Sequence, residues 1–425
     1  MLPDALEIHP FTKPVDAIVA PPGSKSYTNR VLPLAALCSG ESILEGALFS
    51  DDTKYMAQAL RQLGVGVLEQ EAQQRFVVSG TGGKLQASSQ ALFIGNSGTS
   101  ARFLAPLVAL GQSEYTIDGI EAMRLRPIQP LIEALNQLGG DVSSETGCPP
   151  LRIAAHGIRG GSVKIRGDLS SQYLSGLLMS APYFEHGLEL IVEGDLVSKP
   201  YLEVTAQAMQ AFGVRLENHN FERFVVAPSR YLPTTYQVEP DASAASYLFA
   251  AAAISNGRVT VPGLGSNSLQ GDLGFVRVLE QMGCTVRIDA NQTQVIGTAK
   301  LRGLEEVNMS QISDTAQTLA AVAIFADRPT KVTGIGFIRK KETDRIGAVV
   351  IEMQRLGIRA TEEADGFTIY PGTIKPARVE TYDDHRMAMS FALIGIKQQG
   401  VTILDPKCTS KTFPEFWDVL KKLAN

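Results

Sequence analysis

Cysteine is scarce in this chain, with four residues in 425, at Cys38, Cys148, Cys284 and Cys408. They lie far apart, without a CxxC pair or a His at ligand spacing. Neither a disulfide framework nor a bound metal is therefore expected, and a reducing cytoplasm suits the chain. Long apolar runs are also missing. The opening MLPDALEIHPFTKP is acidic and polar, unlike a secretory signal, and no stretch approaches the roughly 20 apolar residues of a membrane span. Positive charge is in deficit: 39 Lys and Arg against 44 Asp and Glu leave a formal charge of −5. That balance argues against general nucleic-acid binding, so an anionic partner must be met by cations gathered in one place. A nucleotide loop is lacking as well. PPGSKSYTNR, from Pro21 to Arg30, imitates its end, but Ser24 separates Gly23 from Lys25 and the upstream Gly is absent. The stretch still has the composition of an anion site.

What the chain does have is repetition. Six amphipathic segments end in a bulky apolar residue: ALRQLGVGV (59–67), ALNQLGGDV (134–142), AMQAFGVRL (208–216), VLEQMGCTVRI (278–288), EMQRLGIRA (352–360) and VLKKL (419–423). In five of them a glycine follows, and Gly64, Gly139, Gly213, Gly283 and Gly357 stand 75, 74, 70 and 74 residues apart. A helix closed by glycine and followed by a strand is an αβ unit, and six at a near-constant period predict a repeat. A second set keeps the same beat and is almost wholly apolar: residues 31–37, 103–110, 173–183, 244–254, 318–326 and 387–396. Helices apolar on every side must be buried, so each half of the chain is expected to form around three inner helices, with sheets and amphipathic helices outside.

Polar residues stand before each apolar segment: Lys25-Ser26 and Arg30, Gly98-Thr99 and Arg102, Ser170-Ser171-Gln172, Asp241, Ser313-Asp314, and Asp384-His385-Arg386. Ser, Thr and Asp are ordinary helix caps there. Capping does not require Lys, Arg and Gln beside them, and several converging helix N-termini would attract an anion. Two proline-rich points, Pro21-Pro22-Gly23 and Glu239-Pro240-Asp241, leave three repeats between them. They predict a continuous domain over 23–239 and a discontinuous one made of 1–22 plus 240–425, with the polar helix starts facing a cleft. Away from those starts, RKKETDRIG (339–347) is the richest charged stretch; as a helix it would set Lys341 and Arg345 one turn apart.

Nine motifs occur together and in order: PGSKSYTNR, GNSGTSARF, RLRPI, GDLSSQYLSGLLMSAP, GDLVSKPY, PDASAASYLFAAAAI, KKETDR, DDHRMAM and DPKCTSKTFP. Over essentially its full length the chain resembles the 5-enolpyruvylshikimate-3-phosphate synthase family of enolpyruvyl transferases. The resemblance implies an α/β fold of two similar domains. Each is a threefold βαβαββ-type repeat, an inside-out α/β barrel with buried helices, and the active site lies in the interdomain cleft. It implies transfer of the enolpyruvyl group of phosphoenolpyruvate to the 5-hydroxyl of shikimate 3-phosphate, with release of phosphate, as the sixth step of the shikimate pathway. No cofactor or metal is needed, the partners are the two small-molecule substrates, and the enzyme is expected to be a cytoplasmic monomer that closes on its substrates. Carried over by residue, Lys25, Gly98, Arg126, Gln172, Arg345, His385, Arg386 and Lys411 are implied to hold phosphoenolpyruvate. Lys25, Ser26, Arg30, Ser170, Ser171, Gln172, Ser198, Tyr201, Asp314 and Lys341 are implied to hold shikimate 3-phosphate. Asp314 is implied as the base and Glu342 as the acid, with Lys25 between both substrates.

Some positions depart from the family pattern. Phe337 occupies the place of a polar Asn, Ser97 and Phe103 replace Ala and Pro around Gly98, and Leu125 replaces a Glu. The family's inhibitor glyphosate binds beside Gly98, so an altered sensitivity is expected. GIEAMRLRP (119–127) contains no Cys, which separates the chain from the related transferase acting on UDP-N-acetylglucosamine.

Overall fold

Two kinds of helix, alternating along the chain, generate the architecture. A computed structural model describes residues 2–424. In it the chain divides into one unit of Gly23–Glu239 and another that joins the chain up to Pro22 with the part from Pro240 onward. The Gly23–Glu239 unit contains α1 (Lys25–Leu37), α2 (Asp51–Gln62), α3 (Gly98–Val108), α4 (Gln129–Gln137), α5 (Ser171–Ser180) and α6 (Pro200–Ala211). The other unit contains α7 (Ala242–Ser255), α8 (Phe275–Gln281), α9 (Ala316–Ala323), α10 (Arg345–Arg355), α11 (His385–Gly395) and α12 (Phe416–Leu423).

The odd-numbered helices are the apolar ones, and their burial follows from that. Every residue of α9 and α11 is buried, and every residue of α7 except Ser243. Within each unit they pack on one another, α1 on α3 and α3 on α5 in one, α7, α9 and α11 mutually in the other. The even-numbered helices bury one face only, which is what their mixed composition permits. Gly64, Gly139, Gly213, Gly283 and Gly357 stand just past helix ends with φ between 78° and 104°. That left-handed region is costly for a residue with a Cβ, so glycine is the residue that ends each helix and returns the chain to a strand.

Each repeat runs strand, buried helix, strand, amphipathic helix, strand, strand. In one of them Leu92–Phe93 pairs parallel with Glu114–Asp118, which runs antiparallel to Leu151–Ala154, itself antiparallel to Val142–Ser143. Gly161–Arg166, Leu188–Glu193, Arg223–Val226 and Glu217–His219 follow the same order. The first sheet of this unit is completed from the far end of its sequence, where Thr235–Gln237 pairs parallel with Ser39–Glu45. In the discontinuous unit, Asp16–Ile18 is the parallel partner of Arg258–Pro262, and Ala5–Ile8 lies antiparallel to Val401–Leu404 in place of a hairpin strand. The repeat is thus circularly permuted in both units. The sheets remain separate, so the inside-out character lies in the inner helices and not in a closed barrel of strands.

Two expectations shift. The apolar helices begin earlier than their apolar runs, so Lys25–Arg30, Gly98–Arg102 and His385–Arg386 are themselves helical turns. RKKETDRIG is not one helix: Gly336–Lys340 forms a 3-10 turn and α10 starts at Arg345, capped by Asp344. The bidentate-capable Asp344 side chain competes for the backbone N–H groups of Ile346 and Gly347, and this fixes the helix start. Among the described residues, no helix is long and apolar enough to cross a membrane.

Candidate active site

In the Gly23–Glu239 unit, polar residues gather at the starts of α1, α3 and α5. Ser24, Ser97 and Ser170 cap these helices, accepting from the backbone N–H of Tyr27, Ser100 and Gln172. Lys25 opens α1 with its Nζ 3.9 Å from Asp52. Arg30 is buried between the rings of Phe103 and Tyr201. Its guanidinium donates to the Ser26 carbonyl (2.8 Å), to Thr205 Oγ1 (2.8 Å), to Ser175 Oγ (3.3 Å) and to the Tyr201 carbonyl (3.2 Å). All of these acceptors are neutral. Burial pulls the Arg30 guanidinium down to about 10, which leaves it charged at neutral pH.

Two more guanidiniums converge on Gly98. Arg102 donates to Gln172 Oε1 at 2.8 Å, and Gln172 in turn donates to Thr99 Oγ1 at 3.3 Å. Arg126 donates to the Asn96 carbonyl at 2.7 Å. A Cβ on residue 98 would lie 2.6 Å from both Arg102 Nη1 and Arg126 Nη2, so glycine is what lets both cations cross the first turn of α3. Ser171 is the first residue of α5; Ser198, with φ 57°, turns the chain into α6, which carries Tyr201. Cations gathered at helix N-termini in this way are complementary to phosphate and carboxylate.

The other unit presents the opposite solution, with cations interleaved between acids. Arg345, the first residue of α10, is buried and reaches three carboxylates: Asp314 at 3.2 Å, Glu342 at 2.8 Å and Asp384 at 2.7 Å. Burial alone would lower its guanidinium, but Asp384, Glu342 and Asp314 together hold it above its ordinary value. Arg386 in the first turn of α11 meets the second oxygen of Asp314 at 2.7 Å, and Lys411 meets the second oxygen of Glu342 at 3.0 Å. Asp314 and Glu342 are therefore each held between two cations. Carboxylates fixed in this way can exchange protons while the cations balance an anionic partner. His385 is buried with Nδ1 3.7 Å from Asp384. Lys341 follows the 3-10 turn, its Nζ 5.9 Å from the Phe337 ring centre.

Sequence reasoning did not single out Asp384 as a site residue, although it stands inside DDHRMAM and bonds both Arg345 and the Arg386 backbone. Asn96 and Asp52 likewise escaped, being unremarkable polar residues until folding sets them against Arg126 and Lys25. Asp272 lies outside all nine motifs. It is buried and accepts from the Ser243 hydroxyl; burial first, then Asp314, pushes its carboxyl up to about 7.

Comparison with known proteins gives a consistent answer. The family model described as EPSP synthase (3-phosphoshikimate 1-carboxyvinyltransferase) matches residues 11–420. The 3-phosphoshikimate 1-carboxyvinyltransferase of Nostoc punctiforme is 46% identical over 97% of this chain and 98% of its own. The chloroplastic enzyme of that name from Brassica napus is 43% identical over 96% of this chain and 83% of its own. Among solved structures, the EPSP synthase of Acinetobacter baumannii is similar with a TM-score of 0.82 at 25% identity, covering 99% of this chain and 98% of that one.

Proposed function

Because the chain belongs to the EPSP synthase family, we propose that it transfers the enolpyruvyl group of phosphoenolpyruvate to the 5-hydroxyl of shikimate 3-phosphate and releases phosphate. The observation that carries the site assignment is the Arg345 cluster, in which Asp314 and Glu342 are both gripped by cations. Asp314 takes the proton of the 5-hydroxyl as its oxygen bonds to C2 of phosphoenolpyruvate, and Glu342 gives a proton to the C3 methylene. The product of this addition is a tetrahedral intermediate. Its C2–O bond to phosphate then breaks as the Asp314 proton passes to the leaving phosphate, Glu342 takes a proton back from the C3 methyl, and the double bond re-forms in the enolpyruvyl product.

Both substrates carry phosphate and carboxylate, which explains the cations. Ser26, Arg30, Ser170, Ser171, Gln172, Ser198, Tyr201 and Lys341 are assigned to shikimate 3-phosphate, together with Lys25 and Asp314. Gly98, Arg126, Arg345, His385, Arg386 and Lys411 are assigned to phosphoenolpyruvate, together with Lys25 and Gln172. Phe337 cannot offer the polar contact of an Asn, and its ring centre lies 5.9 Å from the Lys341 ammonium instead. The enzyme is taken to act as a cytoplasmic monomer.

The test is phosphate release from phosphoenolpyruvate. It should require shikimate 3-phosphate, and UDP-N-acetylglucosamine should not replace it. The Glu342→Gln variant should bind both substrates with dissociation constants within a few-fold of wild type and lose at least a hundredfold in kcat. Turnover unchanged in that variant would remove Glu342 from its role.

A further inference from the structure

Glu352 lies on α10, two turns beyond Arg345, and is completely buried. An ionisable side chain is costly there unless its oxygens are used. They are, and all by one short segment and a neighbour. The Tyr382 hydroxyl donates to Oε1 at 2.7 Å, the backbone N–H of Glu380 donates to Oε2 at 3.0 Å, and Arg355 stands 3.3 Å from Oε2. The segment so held is unusual. Tyr382 and Asp383 are consecutive non-glycine residues with φ of 56° and 53°, a conformation that persists only where the surroundings impose it. The next residues are Asp384, His385 and Arg386. Asp384 N–H donates to the Thr381 carbonyl at 2.9 Å, and the Asp384 side chain caps α11 through Arg386 N–H at 2.9 Å. The same carboxylate receives Arg345 through Nε at 2.7 Å and Nη2 at 3.3 Å.

We propose that Glu352, acting through Tyr382 and the Glu380 backbone, is a positioning residue that fixes Asp384 and Arg386 for phosphoenolpyruvate. The inference rests on the assignment of Arg345 and Arg386 given under Proposed function. One helix grips the turn at two points, Arg345 on Asp384 and Glu352 on Glu380 and Tyr382, so the turn cannot relax without moving both guanidiniums. Burial, and then the bond to Glu352, push the Tyr382 phenol up to about 12, so its hydroxyl remains a donor across the working pH range. Neither residue touches substrate in this scheme.

Two variants test it. Tyr382→Phe keeps the ring and removes the donor; Glu352→Gln keeps an acceptor and removes the charge. Steady-state phosphate release is measured against each substrate in turn. The KM for phosphoenolpyruvate should rise five- to tenfold in each variant, with the KM for shikimate 3-phosphate within twofold of wild type. The double variant should be no worse than the poorer single one, because both act through one link. Loss of folded protein would lower kcat per mole and leave both KM values in place, so a merely structural role is separable. If Glu352→Gln does not fold, Tyr382→Phe alone decides. An active wild type with an unchanged KM for phosphoenolpyruvate in Tyr382→Phe overturns this inference and leaves the proposed function standing; a wild type that releases no phosphate overturns the proposed function itself.

Discussion

Arg30 and Arg345 are both buried guanidiniums, yet their surroundings differ in kind. Arg30 is satisfied by carbonyl and hydroxyl oxygens, whereas Arg345 is surrounded by Asp314, Glu342 and Asp384. Removing water from a charge is expensive, and neutral acceptors compensate only part of that cost, so the Arg30 environment gains most when an anion arrives. Around Arg345 the charges are already paired, because Asp314, Glu342 and Asp384 all reach its guanidinium. Asp272 sits behind this cluster, and its raised carboxyl gives a stability prediction with a definite sign. A carboxyl with a folded value near 7 and an unfolded value near 3.8 stays protonated in the folded protein after the unfolded chain has released its proton. Its contribution is complete below about pH 4 and is lost as pH rises to about 7. Relative to wild type, Asp272→Asn should therefore be more favourable at pH 8 than at pH 4, by roughly 2–4 kcal/mol in urea unfolding. The same difference at both pH values would show that the Asp272 carboxyl titrates in the folded protein as it does in the unfolded chain.

Helix ends do most of the positioning. Ser24, Ser97, Ser170, Asp344 and Asp384 each cap a helix whose first turn carries a candidate site residue, so the local rule that starts a helix also places those side chains. At the opposite ends, the recurring glycines do a purely local task. Gly283 has φ 104°, and the nearest atom to a Cβ built there is 3.6 Å away, so nothing but the backbone opposes a side chain. Gly283→Ala should cost about 1 kcal/mol in denaturant unfolding through the left-handed conformation alone, with steady-state kinetics unchanged. A change in KM would mean that α8 is coupled to the site.

At the scale of the whole molecule, charge is the informative quantity. A chain of net charge −5 repels anionic substrates at long range, and only the clustered cations attract them. Long-range terms are screened by salt more strongly than buried contacts. Raising ionic strength from about 0.05 to 0.5 M, across which the screening length shrinks to a few ångströms, should change both KM values by less than about threefold if buried contacts dominate. A tenfold increase would place the recognition on exposed, solvated charges.

The fold was legible because its determinants are local and repeated. A wholly apolar helix must be buried wherever it falls, and a glycine behind a helix end announces the return to a strand. Six repetitions of one pattern remove the ambiguity that any single segment carries. The capped, cation-bearing helix starts inside the motifs were legible for the same reason, since caps and cations are readable in order. RKKETDRIG was not, because its helix depends on where Asp344 caps and no periodicity marks that point. Asp384, Asn96, Asp52 and Asp272 acquire meaning only through partners 27 to 42 residues away: Asp384 from Arg345, Asn96 from Arg126, Asp52 from Lys25, Asp272 from Asp314. The Glu352 link to Tyr382 is of this kind too, since neither residue looks unusual until α10 lies against the strained turn before α11. Sequence by itself determined the repeat, the two helix classes and the cation-bearing helix starts, all consequences of hydrophobic pattern and capping chemistry. Which acid faces which cation, and which buried polar group is satisfied by which partner, only the tertiary structure decided, because ion pairing and desolvation depend on distances that the order of residues does not contain.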